Sequence, residues 1–349
     1  MHGLRHPVLL LPLLVSAAPT APAPPAPEPD APVPERPLLK PWYRVARTNA
    51  GVAVEYGQVA VVFEGTGAQR LLPPLLELLD GTRTLDEIVA ALGPAVEPAT
   101  RAALGRLARH DLLTDGPAPD PAEPAAPFAL FLAAAGVADT ATVARRLASL
   151  RVGVVGESPV AERLPSLLAG AGAGRVERLP WEDAVAGRRL VVVAPGTPEL
   201  PLLDRWNAAA LRERVPWLQV LPPNGRFAAI GPLFLPGETA CRHCFLLRRA
   251  ANVEYGDELA HLERAAASYP FPTPIAAALA GLVAFLALRW ALGGDRVLTG
   301  AFYALELGPA LALTYHRVHR VPRCRACSPS AVVAPPSPWF GEAARDARA

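Results

Sequence analysis

From residue 38 onward the apolar positions fall into two regimes. Over residues 42–48, 51–56 and 58–63 they come in short runs separated by Asn49-Ala-Gly51 and Gly57, a pattern that predicts β-strands joined by turns. The period then lengthens. From about Ala68, the residues Leu71, Leu72, Leu75, Leu76, Leu78 and Leu79 make a broad helical face, which Pro73-Pro74 is expected to kink or restart. Asp80-Gly81 closes that helix, and Thr84-Leu-Asp-Glu87 is a capping box that opens another, with Leu85, Ile88, Val89 and Leu92 inward. Pro98 sits in the first turn of a third helix carrying Leu104 and Leu107, and Leu112-Leu113 predicts a short closing strand.

Three strands, three helices and a return is the order of a small winged-helix unit, placed at residues 38–116. Residues 117–127 are a Pro/Ala-rich linker. A second unit, residues 128–334, alternates strand and helix: strands at 151–156, 175–179, 190–194 and 217–221, helices at 161–171 and 202–214. That alternation predicts a parallel, Rossmann-type α/β sheet, completed by strands near 297–305 and 310–318. The apolar run 275–288 spans roughly 21 Å as a helix at ~1.5 Å per residue. A hydrocarbon core needs about 30 Å, so a buried helix is expected and no membrane span.

Residues 1–37 and 335–349 are expected to be disordered, because Pro, Ala and acidic residues bury too little apolar surface to offset ordering entropy. Arg5 and His6 before the apolar residues 8–15, with Ser16-Ala17-Ala18 after them, look superficially like an export signal. The plainer alternative is an unstructured leader or a start assigned too far upstream. Paired thiols suit a reducing compartment, so the expected location is cytoplasmic.

Charge changes the picture by exclusion. The chain of 349 residues has a formal net charge of +2, without the basic excess of a bulk nucleic-acid binder. Lys40 is the only lysine, which removes active-site lysine chemistry from the body of the protein.

All four cysteines lie in two Cys-x-x-Cys pairs, Cys241/Cys244 and Cys324/Cys327. Four thiolates in this pattern are the usual ligand set of one structural zinc with no open position. Vicinal disulfides or a redox Cys-x-x-Cys are the alternatives; the latter needs a thiolate at a helix N-terminus and leaves the second pair unexplained. His243 lies inside the first knuckle as a spacer, since four sulfurs fill the shell.

Other chemistry is missing where this architecture would carry it. A phosphate loop needs Gly-x-Gly-x-x-Gly, yet the turn here is Gly153-Val-Val-Gly156-Glu-Ser-Pro-Val, with a repelling Glu157 and a Pro159 that lacks an amide donor. The strand at 190–194 ends in Pro195-Gly196-Thr197, with no acid to hold magnesium before Glu199. No ATP is expected to bind. His110, His261, His316 and His319 have no carboxylate at catalytic spacing, and no catalytic residue is assigned.

Together, Gly231-Pro…Pro236-Gly-x-x-Ala-Cys-x-x-Cys244, the Pro-x-x-Ala-x-x-Ala-Gly helix at 274–281 and Cys324-x-x-Cys327 resemble the ThiF-like relatives of ubiquitin-activating enzymes. Leu78-Leu-Asp-Gly-Thr-Arg-Thr-Leu-Asp-Glu-Ile-Val89 resembles the PqqD-like recognition element of ribosomal-peptide (RiPP) biosynthesis. Their order is similar to the ThiF-like partner proteins of YcaO cyclodehydratases, which make thiazole/oxazole-modified microcins (TOMMs). The resemblance implies a division of labour. The YcaO chain binds ATP and activates the amide, while the partner holds the precursor's leader and stimulates cyclisation. Possible homodimerisation comes with it.

The expected leader site is β-augmentation at the strand 58–63, with Val59, Val61 and Phe63 on one face and Arg101, Leu104 and Arg106 on the third helix. The apolar ones serve equally well as core. Two other readings stay open: an ATP-dependent adenylating enzyme acting on a peptide or sulfur-carrier C-terminus, and a DNA-binding winged helix using Arg101, Arg106 and Arg109.

Overall fold

The computed structural model describes residues 32–56, 59–182, 190–262, 265, 270–293, 297–308 and 310–328. The export-like run, most of the expected leader and the tail from 335 lie outside them. Strands β1 (Pro37–Leu39), β2 (Arg44–Arg47), β3 (Gly51–Tyr56) and β4 (Val59–Glu64) lead into helices α1 (Thr66–Leu78), α2 (Leu85–Leu92) and α3 (Glu97–Arg109), and β5 (Leu113–Asp115) follows. β2, β3 and β4 form an antiparallel sheet in that order, and β5 returns to pair with β1. The strand β1 is an element the sequence pattern did not show; it includes Pro37, which had been placed in the disordered leader.

Helix α1 runs without a break through Pro73 and Pro74, against expectation. Leu72, Leu75 and Leu79 are buried in one cluster with Val52, Val54 and Phe63, and such tertiary packing outweighs the lost backbone bonds. The capping box of α2 is formed: the Thr84 backbone N–H donates to Glu87 Oε2 at 2.7 Å and the Glu87 N–H to Thr84 Oγ1 at 3.4 Å. Ile88, Leu104 and Leu107 complete the core, each contributing roughly 1.5–3 kcal/mol of burial. The single lysine is structural: Lys40 is buried with Nζ 2.6 Å from Asp111 Oδ1.

The second unit runs α4 (Ala126–Ala134), α5 (Thr140–Ser149), β6 (Arg151–Val155), α6 (Pro159–Gly170), β7 (Arg175–Leu179), β8 (Leu190–Val193), α7 (Leu202–Glu213), β9 (Trp217–Leu221), β10 (Phe227–Phe234), α8 (Arg242–Ala250), α9 (Gly256–Leu262), α10 (Thr273–Gly293), β11 (Ala301–Glu306) and β12 (Ala312–Arg317). Its sheet has seven strands in the order β12-β11-β10-β9-β8-β6-β7. The expected parallel sheet is corrected to a mixed one. The strands β7, β6, β8 and β9 are parallel, whereas β9 through β12 are antiparallel. Connection length accounts for two of these pairings: the β9–β10 and β11–β12 connections are too short for the crossover that parallel neighbours require, whereas β10 and β11 are antiparallel across a connection holding three helices. Within β10 the register shifts between Ile230 and Leu233. Gly231 there has φ +106°, and a Cβ would lie 2.6 Å from the Ala301 carbonyl oxygen, so only glycine fits.

Two cores sandwich this sheet. Strand β8 shows the division: Leu190 and Val192 face a cluster with α6 and α10, and Val191 and Val193 face one with α7, α8 and the cysteines. Helix α10 is longer than expected, 21 residues, and by length and composition alone it can cross a membrane. Ala276, Leu279, Ala280, Val283 and Ala287 are nevertheless packed in the core. It extends past Arg289, whose guanidinium lies over the Phe285 ring at 5.5 Å.

Candidate functional site

The four cysteines converge. Cys241 and Cys244 flank the start of α8, while Cys324 and Cys327 follow β12. Their sulfurs all lie within 4.8 Å of one another, with separations of 3.9 Å (Cys241–Cys244), 3.8 Å (Cys241–Cys324) and 3.6 Å (Cys244–Cys327). A tetrahedron with metal–sulfur bonds of about 2.3 Å has edges of about 3.8 Å. The group can therefore hold a metal ion, and the donor set fits zinc. Disulfide bonds, at about 2.05 Å, are absent among these four.

Burial pushes the Cys241 thiol well above its ordinary value and Cys327 up to about 11. Burial also acts to raise Cys324, but hydrogen bonds from the backbone N–H groups of Ala326 and Cys327 and from the neighbouring Cys244 and Cys327 thiols together leave it lowered. Burial, aided by the Arg325 guanidinium, lowers His243. His243 accepts from Arg325 Nε at 3.2 Å across the two knuckles, a positioning role consistent with its place outside the ligand set. The first knuckle is pinned by a residue that sequence patterns did not single out. Buried Arg242 donates to Asp204 and Gln219, each at 3.0 Å, and its backbone N–H to Asn207 Oδ1.

The turn after β6, where a phosphate would approach helix α6, is already filled. Glu199 Oε2 accepts from the Glu157 N–H at 2.8 Å and the Gly196 N–H at 2.7 Å, and Oε1 from Trp181 Nε1 at 2.6 Å. Ser158 caps α6 while its hydroxyl donates to the Ala194 carbonyl. Gly156, at φ +108°, lies so near Ala194 that a Cβ would meet its oxygen at 2.3 Å. An internal carboxylate thus occupies the amide that a nucleotide phosphate would use. The only sequence signal was that Glu199 is the first acid after β8.

In the N-terminal unit a groove of about 500 Å³ runs between α1, the end of β4 and α3. Ala99, Ala102 and Ala103 give one wall a low profile, Leu71 forms part of the other, and Arg70 and Arg106 border it. β4 is an outer strand, paired only with β3 among the described residues. The opposite outer strand, β2, carries exposed Arg44 and Arg47, charges that discourage strand addition. β4 has no charge before Glu64.

The sequence-assigned contact residues divide unevenly. Arg106 lines the groove, with its guanidinium 5.1 Å from the Phe63 ring centre. Phe63 also lines it but is 2% exposed, and Val61 is half-buried against the same core. Val59 lies on β4; its side chain is outside the described set. Arg101 is held in ion pairs to Glu97 and Asp86, away from the groove. Leu104 is 0% exposed, so its place as a surface contact is corrected to core packing. The helical period puts it with Thr100, Leu107 and Ala108 on the inward face of α3. The alanines one position away were missed because small residues carry little pattern signal.

No protein-family model matches the sequence, and no curated protein matches it. Among solved structures, the chain is similar to the heterocyclase TruD, with 26% identity and TM-score 0.63 over 84% of this chain and 43% of that one. A heterocyclase solved in complex with substrate and cofactor aligns at 22% identity and TM-score 0.64, over 85% and 40%. E. coli MccB, solved with ATP, aligns at 15% identity and TM-score 0.61, over 84% and 99%. The chain spans less than half the length of the two heterocyclases and the same fold as nearly all of MccB.

Proposed function

We propose that this chain is a non-catalytic, leader-peptide-binding scaffold of TOMM-type RiPP biosynthesis, which presents a ribosomal precursor to a separate YcaO cyclodehydratase in the cytoplasm. The observation that carries the reading is the open edge of β4, uncharged up to Glu64 at its end, beside an alanine-walled groove with Arg70 and Arg106 at its border. An extended leader pairs its backbone with β4, sets apolar side chains against Ala99, Ala102 and Ala103, and places acidic ones near the arginines. The likeness to TruD supports the same pathway class, with the remaining length of such heterocyclases supplied here by the partner. A structural zinc on Cys241, Cys244, Cys324 and Cys327 joins α8 to the end of β12, and when bound it supplies a crosslink rather than a reactive centre.

The Glu199 carboxylate in the β6–α6 turn favours this reading over the adenylating enzyme. Two assays on the full chain test it. A fluorescent leader from a precursor encoded beside this chain should bind saturably, and ATP–pyrophosphate exchange should be absent. No leader binding by folded protein contradicts the scaffold, and exchange activity favours adenylation.

A further inference from the structure

A second cavity, of about 570 Å³, lies over the antiparallel half of the seven-stranded sheet, between α8 and β10–β12. Its apolar lining includes Phe227, Phe245 and Phe302. Phe245 meets Phe302 edge-on at 5.5 Å, and Phe302 stacks on His316 at 4.9 Å. Arg248 and Arg249 of α8 and Arg317 of β12 line it, Arg248 also donating to the Arg320 carbonyl at 3.3 Å, and no Asp or Glu does. Thr197, Asn224, Asn252 and His316 add neutral polar groups to the lining. A largely apolar cavity whose only charged side chains are arginines favours a ligand that is apolar and carries an anion.

Two features weigh against a polyphosphate. The cavity faces the last turn of α8, the negative end of its dipole, where repulsion grows with ligand charge and a single carboxylate is more readily offset by Arg248 than a polyphosphate is. The loop from β9 contributes Pro222 and Pro223, which have no N–H to offer phosphate oxygens. One further feature points to a peptide. β12 is the outer strand of its sheet, paired only with β11 among the described residues, and its last two residues line the cavity. Main-chain donors and acceptors are thus available beside the pocket, as strand addition requires.

We propose that this cavity is a second peptide site, taking an extended segment in which an acidic residue adjoins bulky apolar ones. The carboxylate is held by Arg248 and Arg317, and the apolar side chains rest on Phe245 and Phe302. The site is independent of the groove beside β4, and its existence does not require that groove to bind a leader.

The test uses the full chain and a fluorescein-labelled hexapeptide of alternating leucine and aspartate, with a twin carrying asparagine for aspartate. Anisotropy should show saturable binding of the acidic probe, weakened about tenfold or more, equivalent to about 1.4 kcal/mol, both in the twin and in the Arg248→Gln/Arg317→Gln double variant. The Arg248→Lys/Arg317→Lys variant should recover part of the affinity, and unchanged thermal melting should show that the double variants fold. Arg106→Gln, in the other groove, should leave probe binding unaltered. Equal binding of the twin, unaltered binding by the glutamine variant, or displacement of the probe by ATP would overturn the site. Loss of probe binding in Arg106→Gln would also overturn it, by moving the acidic peptide to the β4 groove.

Discussion

The two units end their sheets in opposite ways at the places where ligands would enter. Beside β4, the N-terminal unit leaves backbone groups and an alanine-walled groove open. At the β6–α6 turn, the α/β unit closes the corresponding opportunity with its own Glu199. An exposed strand edge is a liability unless it has a use, and a phosphate-binding turn that satisfies itself has no donor left at Glu157 to offer. On the proposed reading, the open edge of β4 serves recognition and the self-satisfied β6–α6 turn serves architecture.

The largest effect should come from attacking that architecture. Chelation, or Cys244→Ser, removes a crosslink between distant segments, with a cost of several kcal/mol. At about 2–4 °C per kcal/mol this lowers Tm by on the order of 10 °C. Calorimetry together with metal analysis, expected at about one zinc per chain, checks this. Leu104→Ala strikes the other unit and should cost about 2–5 kcal/mol by opening a cavity in a filled core, measured by urea denaturation. Its loss of leader affinity should track its loss of fold.

Glu199→Ala leaves the Glu157 and Gly196 N–H groups and the Trp181 indole N–H without their acceptor, and should cost roughly 1–3 kcal/mol. It should not create ATP–pyrophosphate exchange, because the turn still lacks the glycines of a phosphate loop. Ala102→Trp sharpens the comparison in reverse. On an exposed helix position its effect on stability should be within about 0.5 kcal/mol, yet it fills the groove. Leader affinity should drop about tenfold or more, or 1.4 kcal/mol. A melt and a titration on the same sample separate the two.

The smallest effect is in acid. Hydrogen bonds from Thr84 hold Glu87 below its ordinary 4.5, and those from Thr142 hold Asp139 below 3.8. Carboxylates lowered in the folded state contribute stability above their ordinary pKa and lose it as pH falls through the folded value. The melting temperature should stay level from about pH 7 to about pH 5 and decline below about 4.5. Glu87→Gln should shallow that decline.

Local signals were legible in the sequence wherever one short segment decides the outcome. Thr84 and Glu87 announced their capping box, and two Cys-x-x-Cys pairs announced a four-sulfur site whose sulfurs meet. Where distant segments decide, legibility failed. Pairing of β10 with β9 and β11 depends on partners on both sides, and its Ala228-Ala229 and Gly231-Pro232 dilute the strand pattern. Leu104 shares its period with groove and core alike, and only packing against β3, β4 and α1 assigns it inward. Glu199 and Glu157 lie on different turns of the fold, so no spacing could pair them. The apolar run 275–288 is shorter than α10, which continues past Arg289, a charge whose guanidinium lies over the Phe285 ring.

Amide hydrogen exchange on the full chain, with and without the leader, tests the central claim most directly. Strand addition at β4 should slow exchange in residues 59–64 and along the facing side of α3, leaving residues 156–158 unaffected. Protection confined to residues 156–158, or no change at β4 with leader bound, would contradict it.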